Sequence, residues 1–207
     1  GASRKAHNWT LRHLIESGAA VGVADQSGHT ALHWAVSEGA FFPYRLPPLE
    51  NLFPALEYLL ACQADPNACS HQGATALSLA ASGGHWEVVH LLLDRGAGPH
   101  GIGKNGCTAL LYAVERSHFK TVQRLLEARA DLGSTDWEGN SVFHYATDAD
   151  VPAQRPDQRQ KILELLLAYK GLFRPSIAPP IASGVPCQGM LSIPTSAPER
   201  LGLSSAN

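Results

Sequence analysis

Residues 73–105 read GATALSLAASGGHWEVVHLLLDRGAGPHGIGKN, and the fold follows from how this stretch divides. Thr75 opens a short apolar segment (Ala76, Leu77, Leu79, Ala80, Ala81) that Gly83 and Gly84 break. A second apolar segment carries Val88, Val89, Leu91, Leu92 and Leu93 until Gly96 stops it, and a Gly/Pro-rich run leads on to the next threonine. Two helices this short are marginal in water by themselves, so each apolar face needs a neighbour to cover it.

The unit recurs. Gly73-Ala-Thr75-Ala-Leu returns 33 residues on as Gly106-Cys-Thr108-Ala-Leu, and after another 33 as Gly139-Asn-Ser141-Val-Phe. An upstream copy, Gly28-His-Thr30-Ala-Leu, precedes Thr75 by 45 residues, one period plus 12. Self-similarity at this spacing marks an array of stacked helix–turn–helix units. The Gly-x-Thr-x-Leu-x-x-Ala signature, the later Leu-Leu pair and the period resemble the ankyrin repeat family over roughly residues 7–171. The resemblance implies an all-α solenoid with short hairpin tips.

Individual positions acquire roles in that frame. The threonine at each helix start is an N-cap whose hydroxyl satisfies an orphan amide. In the family's Thr-Pro-Leu-His tetrapeptide the histidine bonds back to the threonine and ties adjacent repeats together. His33 and His144 hold that place, Ser78 and Leu111 depart from it, and Ala31, Ala76, Ala109 and Val142 replace the proline. Ala35, Ala80, Ala113 and Ala146 recur where neighbouring helices approach closely. Gly18, Gly96 and Gly171 fall at or beside second-helix ends, where a left-handed residue is easy, with Gln63 and Arg129 in the equivalent place elsewhere. The leucine pairs 59/60, 92/93, 125/126 and 166/167 are read as core, each buried leucine being worth about 1.5–3 kcal/mol.

Organisation follows from the copies. Residues 1–20 read as the second helix of a partial N-terminal repeat, with Trp9 a candidate seal and further repeats or a cap expected upstream. Residues 21–171 hold four repeats, with inserts near 40–51 (AFFPYRLPPLEN, apolar and proline-rich) and near 149–157, within a polar and solvated stretch. Pro54 is expected near the start of its helix, where its missing N–H is not needed, and Lys161–Tyr169 is expected to form the last second helix. Residues 172–207 contain six Pro, six Ser and three charged residues with no period, so they are expected to be disordered, with Leu172 and Phe173 candidates for a partial cap.

Composition and motifs narrow the function. A net charge of −2 with scattered Lys and Arg argues against a nucleic-acid partner. No apolar run approaches the ~18–20 residues of a membrane span. The four cysteines show no paired spacing, which fits a reducing compartment, so a cytoplasmic or nuclear protein is expected. No zinc-finger pattern, Gly-x-Ser-x-Gly elbow or Walker sequence is present, so neither catalytic residues nor metal nor cofactor is expected.

The resemblance implies protein or peptide binding through the concave face and hairpin tips, by a monomer. Carried over residue by residue, the tips are Ala24, Gln26, Ser27 and His29; Cys69, His71, Gln72 and Ala74; Ile102, Lys104, Asn105 and Cys107; and Thr135, Trp137, Glu138 and Asn140. First-helix ends add Ser37, Glu38, Ser82, Glu115 and Arg116. The partner surface is expected around His71, Lys104 and Trp137, with Trp137 either an anchor or a side chain lying on a neighbouring loop. Leu59, Asp65 and Asn67 match a Leu-x5-Asp-x-Asn pattern for asparagine hydroxylation, against ordinary turn chemistry by Asn67. The alternative is a targeting segment of a larger enzyme or channel whose catalytic part lies outside the chain. Membrane docking by the apolar insert is the weakest reading, since Arg45 is its one cation.

Overall fold

A computed structural model describes residues 11–37, 49–147 and 156–172. Its helices are α1 (residues 11–16), α2 (Ala31–Ser37), α3 (Leu49–Ala61), α4 (Ala76–Gly83), α5 (Trp86–Asp94), α6 (Ala109–Glu115), α7 (Phe119–Glu127), α8 (Val142–Thr147) and α9 (Pro156–Leu172). The first helices α2, α4, α6 and α8 stack in one row; α5, α7 and α9 stack in a second, and each first helix packs on the second helix that follows it. Among the described residues β-pairing is confined to isolated bridges at the tips, Ala24–Thr30, Cys69–Thr75, Ile102–Thr108 and Thr135–Ser141.

The core lies between the two rows. Leu32, Leu77, Leu110 and Val142 fill it from the first helices, and Leu56, Leu59, Val89, Leu92, Val122, Leu125, Ile162 and Leu166 from the second. Ala80, Ala113 and Ala146 are buried where the first helices approach, as their recurrence requires, whereas Ala35 is only half-buried. The leucine pairs are unequal. Leu59, Leu92, Leu125 and Leu166 are fully buried, but Leu60 and Leu93 are half-buried and Leu167 is 53% exposed. Consecutive residues on a helix lie about 100° apart, so only one of each pair can point straight into the core.

The cap chemistry explains why a helix starts where it does. The Thr30 amide donates to His33 Nδ1 (3.1 Å), which leaves the proton on Nε2, and Nε2 donates to Ala74 O in the next repeat (2.9 Å). Ser78 performs the local half of this task. Its Oγ accepts from the Thr75 amide (3.0 Å) while its own amide donates to Thr75 Oγ1 (3.1 Å), a complete capping box. What serine lacks is the reach to the following repeat. Leu111, fully buried, keeps only its amide bond to Thr108 Oγ1 at 3.4 Å. His144 caps Ser141 through Nδ1 in the same way as His33 caps Thr30.

Gly18, Gln63, Gly96 and Arg129 all adopt positive φ past a second helix, as their shared register position predicts. Gly171 does not; it lies inside α9, which continues to Leu172. Helix α3 begins at Leu49, so the last residues assigned to the insert 40–51 are helical and Pro54 sits inside the helix rather than at its start. Proline there cannot donate to the Glu50 carbonyl, a defect of about 3 kcal/mol that burial of Leu56 and Leu59 on the same helix offsets. Helix α9 likewise begins at Pro156, inside the stretch expected to be a solvated insert, because proline suits a first helical turn and Asp157 follows it there. Trp9, Phe41, Phe42, Tyr44 and the segment 173–207 lie outside the described residues.

Candidate protein-binding surface

The hairpin tips stack into a row through backbone bonds. The His71 amide donates to Ser27 O (2.9 Å) and the Trp137 amide to Asn105 O (3.0 Å). Two tips are organised by an aspartate. Asp25 Oδ1 accepts from the amides of Ser27 and His29, and Asp136 Oδ1 from those of Glu138 and Asn140. The His29 amide, with help from Ser27 and the Trp34 indole, holds the Asp25 carboxyl below its ordinary value against the opposing effect of burial. For Asp136 burial pushes upward, but hydrogen bonds from Tyr145, Asn140 and Glu138 outweigh it and the carboxyl is held low.

Between the tips and the first-helix row runs a line of aromatic side chains that the sequence reading did not single out. The Trp34 indole N–H donates to Asp25 Oδ2 (3.0 Å), the Tyr112 hydroxyl to Lys104 O (2.9 Å) and the Tyr145 hydroxyl to Asp136 Oδ2 (2.6 Å). All three occupy the position immediately after the histidine place, with Leu79 completing the column. Inspecting that single column across the copies would have found them. Trp34 is 53% exposed, so this line forms an accessible apolar wall in the corner between helices and tips.

The expected tip residues divide by exposure. His71, Gln72, Lys104, Asn105, Arg116, Trp137 and Glu138 are exposed; His29, Cys69, Glu115 and Asn140 are half-buried. His29 packs on its own repeat, edge-on to His33 and tilted against Trp34, and thus belongs to the aromatic line more than to the tip. Asn140 is engaged by Asp136 at 3.1 Å through its side-chain amide. Of the tip residues first considered, Cys107 is buried and backs the surface instead of presenting to it.

Trp137 lies on a neighbouring tip. Its indole lies against Gly106 of the preceding tip, where a Cβ would meet Cδ1 at 2.5 Å, yet 78% of the residue stays exposed. His71 sits on Gly28 in the same manner. Glycine is needed at both places for φ (+78° and +79°) and for the close approach.

The end of the corner around Glu115, Asp136 and Glu138 is electronegative. Burial first, then the charges of Asp136, Glu115 and Glu138, push the Cys107 thiol up to about 11, and burial with Cys107 and Glu115 pushes Tyr112 up to about 12. Lys104 and Arg116, both exposed, supply positive charge on neighbouring positions. Cys62 and Cys107 are free thiols and Cys69 is not, so cysteine spacing does not by itself carry the argument for a reducing compartment.

Asn67 does more than form a turn. Its amide donates to Asp65 Oδ1, its Nδ2 donates to Gly96 O (3.2 Å) and its Oδ1 accepts from Gly98 N (2.7 Å), so an exposed side chain ties two repeats. Among the described residues no group of His, Cys, Asp or Glu could hold a metal ion, and no helix is long and apolar enough to cross a membrane.

The family model described as ankyrin repeats in three copies matches residues 49–136. Ankyrin repeat and SOCS box protein 3 from Homo sapiens is 33% identical over 99 residues, covering 46% of this chain and 17% of that protein. The Bos taurus protein of the same name is 30% identical over the same length, with the same coverage. The chain therefore spans about a sixth of these relatives. The period, the capped first helices, the paired helix rows, the hairpin tips and the family match agree that residues 49–136 are ankyrin repeats, a fold that generally serves protein–protein interaction.

Proposed function

We propose that the chain holds a protein or peptide partner in the corner formed by the aromatic line and the hairpin tips. The observation that supports this is the set Trp34, Tyr112, Tyr145 and Trp137: the two tryptophans are exposed, the two tyrosines half-buried, and three of the four are oriented by single hydrogen bonds. Aromatic side chains in such positions supply large contact area at little entropic cost. The carboxylates Glu115, Asp136 and Glu138 beside them favour a partner segment carrying Lys or Arg. Affinity purification with quantitative mass spectrometry tests the location. Trp34→Ala and a Trp137→Ala, Lys104→Glu pair should each deplete partners that Glu127→Ala, on the outer helix row, retains. Partners that survive both sets of changes would place the binding surface elsewhere.

A second reading has its own support. The relatives' name joins ankyrin repeats to a further element, a SOCS box, and the match covers a small share of them. On this reading the array is the targeting part of a larger protein, and the reading frame of the complete transcript decides it. For Asn67 we keep hydroxylation as a proposal, since its loop is exposed and matches the pattern. Mass spectrometry of protein from a hydroxylase-competent cell should show one added oxygen on its peptide, and an unmodified peptide would exclude it.

A further inference from the structure

On the outer side of the array, where the second helices α5, α7 and α9 pack in sequence, a cavity of about 360 Å³ opens. Its lining includes Trp86, Lys120, Thr121, Gln158 and Lys161. Small-molecule sites have volumes of about 300–1,000 Å³.

Thr121 is the anomaly in it. The repeat register sets Thr121 opposite Val88 of α5, and the leucine register, Leu125 with Leu166, sets it opposite Ile162 of α9. Val88 and Ile162 are fully buried, as packing between the rows demands. Thr121 is as buried as they are, at 1% exposure, but its Oγ1 has no hydrogen-bond partner. One turn earlier, at the entry to α7, Ser117 Oγ is also buried and without a partner. An unbonded buried hydroxyl is destabilising, and valine would serve the scaffold better. A bound acceptor would satisfy the hydroxyl.

The charges around it specify the acceptor. Lys120 and Lys161 occupy one register position on adjacent helices, and none of the described lining residues is a carboxylate. The Lys120 ammonium stands 4.9 Å from the centroid of the Trp86 ring, which holds it at the cavity wall. Gln158 and Lys161, three residues apart, share a face of α9. Helix α7 is nine residues long, and its first-turn amides point toward its start, where the helix dipole favours an anion.

We propose that this cavity binds a phosphate-type dianion, with Lys120 and Lys161 supplying charge and Thr121 and Gln158 donating hydrogen bonds. The site is separate from the aromatic corner and does not depend on it. The test is a ¹⁵N NMR titration of the full chain with inorganic phosphate, against chloride at matched ionic strength. Saturable shifts are expected at the Lys120 and Thr121 amides, weakened at least about tenfold in a Lys120→Ala, Lys161→Ala variant. Thr121→Val should bind more weakly and melt at the same or a higher temperature, since it removes an orphan hydroxyl. A second arm uses an acetylated phosphoserine amide. Tighter binding than inorganic phosphate assigns the spare volume to the rest of a phosphorylated residue, and equal binding assigns the site to free phosphate. Shifts that chloride reproduces, an affinity unchanged in the double variant, or a lower melting temperature for Thr121→Val would each overturn the proposal.

Discussion

Replacing His33 by leucine separates the bond between repeats from the volume that fills the core. The substitution copies the chain's own alternative, because Leu111 holds the same register position fully buried. It removes the acceptor for the Thr30 amide and the donor to Ala74 O, while Ala74 O keeps its bond from the Ser70 amide. The dominant loss is therefore one buried, orphaned N–H at Thr30, which costs about 1–3 kcal/mol. A pH signature accompanies it. Burial is the largest influence on His33 and holds it below its ordinary value of 6.5, so the folded state favours the neutral ring. The unfolded chain then binds more protons, and stability rises with pH. This contribution is complete above the unfolded value and is lost as pH falls through the folded one, at a slope of up to about 1.4 kcal/mol per pH unit. Urea unfolding of both proteins at pH 7.5 and pH 5.5 measures both effects. The leucine variant should be less stable at pH 7.5, and the gap should shrink at pH 5.5. A variant within about 0.5 kcal/mol of the parent at pH 7.5, or a gap that does not change with pH, would refute the reasoning.

Four further outcomes are expected. Arg129→Gly should stabilise the fold by about 0.5–1 kcal/mol in chemical denaturation, since Arg129 holds φ +61° where glycine bears no Cβ penalty. Gly106→Ala should lower the melting temperature and displace the Trp137 indole resonance in NMR, because the new Cβ would lie 2.9 Å from the Trp137 amide nitrogen at φ +78°. The Cys107 thiol, buried and pushed up to about 11 from an ordinary 9.0, should be alkylated by iodoacetamide at pH 8.5 only as fast as the protein opens. Because its folded value is raised, Cys107 should also cost stability as pH climbs from about 9 to about 11, which Cys107→Ala would remove from an alkaline unfolding series.

Much of the array was legible in the chain because its information is periodic. Thr75, Leu77, Ala80 and Leu92 recur at fixed spacing, and their roles depend only on local helix geometry and on a neighbouring copy of the same kind. The left-handed positions of Gln63 and Arg129 could be read in the same way, by counting from Gly96. Reading failed where the period is interrupted. Nothing local fixes the start of α3 at Leu49, since tertiary burial of Leu56 decides how far that helix extends, whereas the start signal of α9, Pro156 with Asp157, lies inside a stretch read as an insert. The aromatic column at Trp34, Tyr112 and Tyr145 was overlooked for a different reason. Its residues differ in type and one copy carries Leu79, so it does not appear as a repeat.

The sequence by itself determined the architecture, since a 33-residue period with caps and small residues at set places leaves few ways to bury the leucines. Only the tertiary structure decided which side chains are free to act. It put Trp137 on Gly106 with its face open, turned Asn67 into a bridge to Gly96 and Gly98, and left Thr121 Oγ1 buried without a partner beside two lysines. Those outcomes depend on contacts between successive repeats, and the spacing within one repeat does not encode them.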